Sequence, residues 1–179
     1  MHIRISYSII NLWLAGNYED AIMALTKKKW REPTEAMQFG IDKHKEWEES
    51  VKKDKAIPDV FGGAEIEGDF HTEIKVEKKI TSWITLVGII DLENLPRLVD
   101  YKTGQGTATQ YASSKQHKVY KVLFPQAKIF DYMHFNQHEN RVTVQRVHLT
   151  DKTLEEGIDI VVSVACDIRA TLENMGIEL

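Results

Sequence analysis

Between His71 and Thr103 the chain leaves helical spacing and reads as β-structure almost without a break. "HTEIKVEKKI" alternates charged and apolar residues, "SWITLVGIIDL" is a near-continuous run of β-formers, and "RLVDYKT" is a third such segment. The polar turn "ENLP" separates the last two, so the three segments predict a β-meander. The meander restricts the chain to folds built on a sheet. It also contains a contradiction, because Asp91, Asp100 and Lys102 fall inside runs that otherwise read as buried strands. A carboxylate in such a place needs a partner or a cation. A hairpin brings Asp91 within side-chain reach of Asp100, and Lys102, two residues further on, projects from the same strand face as Asp100. Two oxygen ligands beside a lysine suit Mg²⁺ or Mn²⁺ and phosphoryl transfer. Taken alone, Asp-Tyr-Lys is better explained as an ion pair on a half-exposed strand.

The flanks supply helices. "SYSIINLWLAGNYEDAIMALTKK" reads as one or two short helices. Thr34 can cap a helix after Pro33, in which Met37, Ile41, His44 and Trp47 recur on one face. "AIPDVFGGAEIEGD" carries Pro and paired glycines and reads as a loop. "ATQYASSKQHKVYKVLF" predicts one helix that ends before Pro125, and "AKIFDYMHF" and "RVTVQRVHL" predict two strands joined by "NQHEN". A last helix starts at Thr150 or Asp151, with Leu154, Ile158, Val161, Ala165, Ile168 and Leu172 as its buried stripe. Helices, meander, helix, strands and helix in that order predict an α/β fold around one mixed sheet.

The chain's 179 residues suit one domain spanning 1–179, with no repeat or linker. No apolar run is long enough to span a bilayer, and the N-terminal segment reads as part of the fold. Cys166 is the only cysteine, which excludes a disulfide framework or a multi-cysteine metal site and makes a reducing cytoplasm the simplest setting. The net charge of −4 argues against a basic coat. Basic clusters at Lys27 to Arg31, Val51 to Lys55 and Lys115 to Lys121 still allow a local basic groove.

The ordered set of motifs is more specific than any one of them. G-x-x-D from Gly88 to Asp91, D-Y-K-T-G from Asp100 to Gly104, and Q-x-x-x-Y from Gln116 to Tyr120 together resemble the RecB-like branch of the PD-(D/E)XK nuclease superfamily. "FGIDKHKEWEE" resembles that family's G-x-x-x-H helix, and "VEKKITSWITLVGIID" resembles the segment in which a glutamate, here Glu77, precedes the aspartate strand. The resemblance covers the chain from about Ser6 to the last helix.

It implies a restriction-endonuclease-like core, a central mixed β-sheet flanked by helices, and a metal-dependent DNA nuclease, with exonuclease action in recombination, repair or phage and CRISPR DNA processing. His44, Asp91 and Asp100 would bind one or two Mg²⁺ or Mn²⁺ ions, with the Tyr101 carbonyl as a backbone ligand. Lys102 would be the catalytic lysine, and Gln116 and Tyr120 would hold the substrate strand. Glu77 is an additional candidate ligand, although a solvated strand face accounts for it nearly as well. Lys115, His117, Lys118 and Lys121 fit phosphate contacts or a solvated helix face equally. Relatives of the CRISPR-adaptation and AddB type carry four cysteines for an iron–sulfur cluster, which one cysteine cannot supply. No G-x-x-x-x-G-K-[ST] phosphate loop occurs, so coupling to unwinding would need another protein. A subunit of this fold with little activity, binding DNA ends, a protein partner or copies of itself, is the alternative.

Overall fold

The computed structural model describes residues 1–26 and 32–178; the basic cluster from Lys27 to Arg31 lies outside the described residues. β1 (Ile3–Ser6) runs directly into α1 (Tyr7–Leu14), and α2 (Tyr18–Thr26) follows. β1 is too short for its alternation to show in the sequence, and only its pairing reveals it. α3 (Glu35–Asp54) starts where expected, with the Thr34 hydroxyl accepting from the Met37 N–H. After a 3₁₀ turn at Asp59–Phe61 come β2 (His71–Lys79), β3 (Ile84–Asn94) and β4 (Arg97–Thr103), each antiparallel to the next. The meander is therefore present as read.

The expected helix after the meander is two helices, α4 (Ala108–Ala112) and α5 (Gln116–Leu123). Serine hydroxyls cause the break: Ser113 donates to the Gln110 carbonyl, and Ser114 accepts from the Gln116 N–H. Such local bonds compete with the helical ladder. β5 (Ile129–Asn136) pairs in parallel with β4 and β6 (Arg141–His148) pairs antiparallel with β5, so the sheet is mixed. α6 (Asp151–Asn174) closes the fold behind a Thr150 cap. Its buried stripe holds at Val161, Ala165, Ile168 and Leu172, but Ile158 is exposed.

The six strands form one sheet in the order β1-β3-β4-β5-β6, with β2 on the other edge of β3. Successive residues of β4 and β5 point to opposite faces. Leu98 and Tyr132 join a core with β1, α1, α5 and α6, built around Ile5, Leu86, Phe130 and Ile168. Val99 and Met133 join a second core under α3, with Trp47, Val51 and Leu92. Each fully buried Leu or Ile stabilises by about 1.5–3 kcal/mol, so both faces hold the sheet. This is the α/β sandwich expected from the sequence.

One irregularity sets the positions of the candidate site residues. β2 covers one edge of β3 along its length. On the other edge, β1 pairs only with Ile84 to Val87 and β4 only with Leu92 to Asn94. Between them, from Gly88 to Asp91, β3 has no strand neighbour on that edge among the described residues. The sheet forks there.

Candidate active site

Side chains fill the fork. The Tyr120 hydroxyl of α5 donates to the Ile89 carbonyl at 2.5 Å, and Asp91 Oδ2 accepts the Tyr101 N–H of β4 at 2.6 Å. Gly88 allows the helix this close, since a Cβ there would lie 2.5 Å from Leu123 Cδ1. Gly40 does the same for α3, where a Cβ would meet Thr103 Oγ1 at 3.0 Å. The motif glycines are thus points of close approach, one for each helix that contributes to the site.

α3 delivers His44, whose Nδ1 lies 3.2 Å from Asp91 Oδ1. Burial pulls the imidazole pKa down, but the hydrogen bond and charge of Asp91 outweigh it and leave the pKa raised. On the other side of the fork, Asp100 is buried and its Oδ1 accepts from Gln116 Nε2 at 2.7 Å. Lys102 Nζ is 2.7 Å from Asp100 Oδ2. Oδ2 is thus paired with a single ammonium. Burial above all raises the Asp100 pKa; Lys102 opposes this and Asp91 adds to it. For Lys102, burial acts downward, and the carboxylates of Asp100 and Asp91 overcome it to raise the pKa. The lysine therefore stays charged beside two acids.

The sequence reading missed Glu73. Ligand atoms of His44, Glu73 and Asp91 all lie within 4.8 Å of one another. Glu73 occupies the position opposite Asp91 on β2, where the ladder skips a pair between Thr72 and Ile74. Its φ of 52° is left-handed, which costs a non-glycine residue about 1–2 kcal/mol. Burial, then the charges of Asp91 and Glu48, raise its pKa. A signal was present in the sequence, since Glu73 and Glu77 share a strand face; choosing between them required the register.

Glu77 itself stands four residues further along β2, fully exposed and bonded to Arg4 and Lys75. Two of the basic residues around α5, His117 and Lys121, sit differently from either expectation. His117 is buried against the Tyr132 hydroxyl, and burial followed by Lys118 lowers its pKa to about 4. Lys121 is buried on the Pro125 and Ala127 carbonyls, and Lys118 pairs with Glu156. Only Lys115 of this group is exposed and without an ion pair among the described contacts. In α3, Trp47 is buried as expected, whereas Met37 and Ile41 are about half exposed and line a cleft.

The donor set fits a divalent cation. It offers carboxylates and one imidazole, ligands that suit Mg²⁺ or Mn²⁺. Asp100 Oδ2, buried and paired with one ammonium, keeps a lone pair that such an ion would take up. Two clefts meet at this point. One, of about 800 Å³, is lined by Arg4, Lys75 and Lys102 together with Tyr7, Ser114 and Gln116. The other, of about 1060 Å³, runs along α3; Ser8, His44, Ile89 and Asp91 line both.

Residues 13–169 match the family model of the PD-(D/E)XK nuclease superfamily. Among solved structures, a proposed exonuclease from Eubacterium rectale is similar with a TM-score of 0.65 and 15% identity, covering 98% of this chain and 83% of that one. LHK-Exo, an alkaline exonuclease from Laribacter hongkongensis, solved in complex with dAMP, gives 0.61 and 10%, covering 96% and 90%. A phage-related exonuclease from Haemophilus somnus 129PT gives 0.57 and 13%, covering 89% and 82%. No curated protein matches the chain. Among the described residues, no helix is long and apolar enough to cross a membrane.

Proposed function

We propose that this chain, which belongs to the PD-(D/E)XK nuclease superfamily, is a divalent-metal-dependent deoxyribonuclease of the RecB-like kind that removes nucleotides from DNA ends. Family membership makes it a nuclease-fold protein with a phosphodiester as its substrate class. The exonuclease reading draws support from neighbours described as exonucleases, and the DNA reading from one of them being held with dAMP. The observation that carries the proposal is the buried Asp100–Lys102 pair set beside His44, Glu73 and Asp91. A structural ion pair needs no histidine and no further carboxylates around it.

In this reading His44, Glu73, Asp91 and Asp100 hold Mg²⁺ or Mn²⁺, with the Tyr101 carbonyl as a backbone contributor. The bound ion supplies positive charge to the phosphate oxygens and lowers the pKa of a water. Lys102 supplies a second, fixed positive charge where negative charge grows as water adds to phosphorus and the P–O bond breaks. Gln116 holds Asp100 in place, and Tyr120 fixes the open strand edge beside it, so both support the site while lining the cleft. Arg4 and Lys75 line the same cleft and are held by the exposed Glu77; exposed pairs of this kind contribute little and exchange readily for phosphate.

The test is incubation of the protein with end-labelled single- and double-stranded DNA in Mg²⁺, Mn²⁺ or EDTA. The proposal expects metal-dependent release of nucleotides from an end and none in EDTA. Tight DNA binding without cleavage in either metal would instead identify an end-binding subunit.

A further inference from the structure

The cleft along α3 has a character opposite to that of its neighbour. Met37 and Ile41, one helical turn apart, are 54% and 52% exposed, and Ile89 of β3 is 49% exposed; all three line this cleft. Exposed large apolar side chains gathered in one concave place mark a binding surface. Its charges are Lys45 against Glu48, Glu73 and Asp91, whereas the first cleft sets Arg4, Lys75 and Lys102 against Asp91 and Asp100. With Glu73 and Asp91 taken up by the metal, the α3 cleft keeps one cation, Lys45, beside Glu48, whereas the first cleft offers a phosphate backbone Arg4, Lys75 and Lys102. An uncharged, flat, partly apolar group fits the α3 cleft, and it must be joined to whatever occupies the shared His44 and Asp91.

We infer that the α3 cleft receives the nucleobase next to the scissile phosphate, seated on a shelf of Met37, Ile41 and Ile89, while the sugar–phosphate backbone follows the first cleft. The inference rests on the nuclease reading for its substrate and adds to it the way the strand lies. A shelf of methionine and isoleucine offers apolar area and a polarisable sulfur without hydrogen-bond readout, so every base is accepted. The site therefore senses that a base is present and unstacked, and ignores which base it is. Ile89 lies in the fork, its carbonyl engaged by Tyr120, and its side chain lines both clefts where they meet.

The test compares an ordinary labelled single strand of DNA with an abasic strand of the same length and charge. Affinities are measured by fluorescence anisotropy in Ca²⁺, and cleavage in Mg²⁺. Wild type should bind the ordinary strand about tenfold more tightly, at the lower end of what base contacts give. The double variant Met37→Ser with Ile41→Ser should lose most of that preference while binding the abasic strand as wild type does. Met37→Leu with Ile41→Leu, which restores an apolar shelf, should keep the preference. An unchanged preference in the serine variant, or no preference in wild type, overturns the shelf. If DNA is cleaved but the shelf variant behaves as wild type, the nuclease reading stands alone. If the preference depends on the shelf but no metal supports cleavage, the shelf stands and the nuclease reading falls. If wild type binds neither strand, both fall.

Discussion

Asp100 and Asp131 are both buried carboxylates on neighbouring strands, and they are treated in opposite ways. Asp131 is fully enclosed, and Arg97 and Arg146 saturate it: Oδ2 accepts from Arg97 Nε at 2.7 Å and Arg146 Nη2 at 2.8 Å, and Oδ1 accepts from Arg146 Nε at 2.8 Å. Nothing remains for a ligand to use. Asp100 has one oxygen bound by Gln116 and the other paired with Lys102 alone. A carboxylate that ties strands together is completed by its neighbours. Asp100, in the proposed site, keeps fewer partners than Asp131.

The widest separation between the two should appear with Lys102→Met. The variant keeps the side-chain stem, folds, and binds metal and DNA, but cleaves roughly a hundredfold more slowly, the scale for losing one electrostatic stabiliser. Lost stability with unchanged cleavage would make Asp100–Lys102 a structural pair like that of Asp131.

The next effect is on metal. Excess Mn²⁺ should raise the melting temperature of wild type, by about 2.7 kcal/mol of stabilisation at a hundredfold excess over Kd. Asp91→Ala should abolish most of this, while Asp131→Asn should leave it intact. Equal Mn²⁺ binding by wild type and Asp91→Ala in calorimetry would remove Asp91 from the ligand set.

Asp131→Asn probes the other side of the comparison. Weakening charged hydrogen bonds there should lower stability by about 1.5–3 kcal/mol in urea unfolding, with cleavage per folded molecule preserved. If activity falls while stability holds, the division between the two aspartates is wrong.

Glu73→Gly should move stability and metal binding in opposite directions. Removing the left-handed strain and the repulsion from Asp91 should outweigh the chain entropy of glycine, giving a metal-free protein about 1 kcal/mol more stable. Its Mn²⁺-induced stabilisation should shrink. A variant that is less stable and binds Mn²⁺ normally would remove Glu73 from the proposed ligand set.

The smallest effect is on pH. His44 has a raised folded pKa, so its contribution is complete below the ordinary value of 6.5 and disappears as pH rises through the folded value. Metal-free wild type should therefore lose stability between mildly acidic and mildly alkaline pH that His44→Gln does not lose. Parallel pH profiles for the two proteins would show that Asp91 does not hold the imidazole proton.

The sheet and the sides of its hairpin could be read from sequence because alternation and turn chemistry are local. Asp91, Asp100 and Lys102 were legible for the same reason, as charges out of place in strands. Glu73 was not, because its role comes from a backbone inversion and from register opposite Asp91. The basic residues of α5 misled because length and charge do not reveal burial: Lys121 and His117 found internal partners. Met37 and Ile41 repeat with the core period yet face a cleft, since periodicity identifies an apolar face without saying what lies against it.

The hydrogen bond from Tyr101 to Asp91 closes only 10 residues of chain, whereas the contact of His44 with Asp91 closes 47. Loop-closure entropy grows with the logarithm of length, so the second contact costs about 1.4 kcal/mol more before any packing offsets it. Asp91 and Asp100 belong to one hairpin and are close in sequence, while His44 is joined to them only through the docking of α3. The helix that completes the site also covers the second core, so one docking contact serves both.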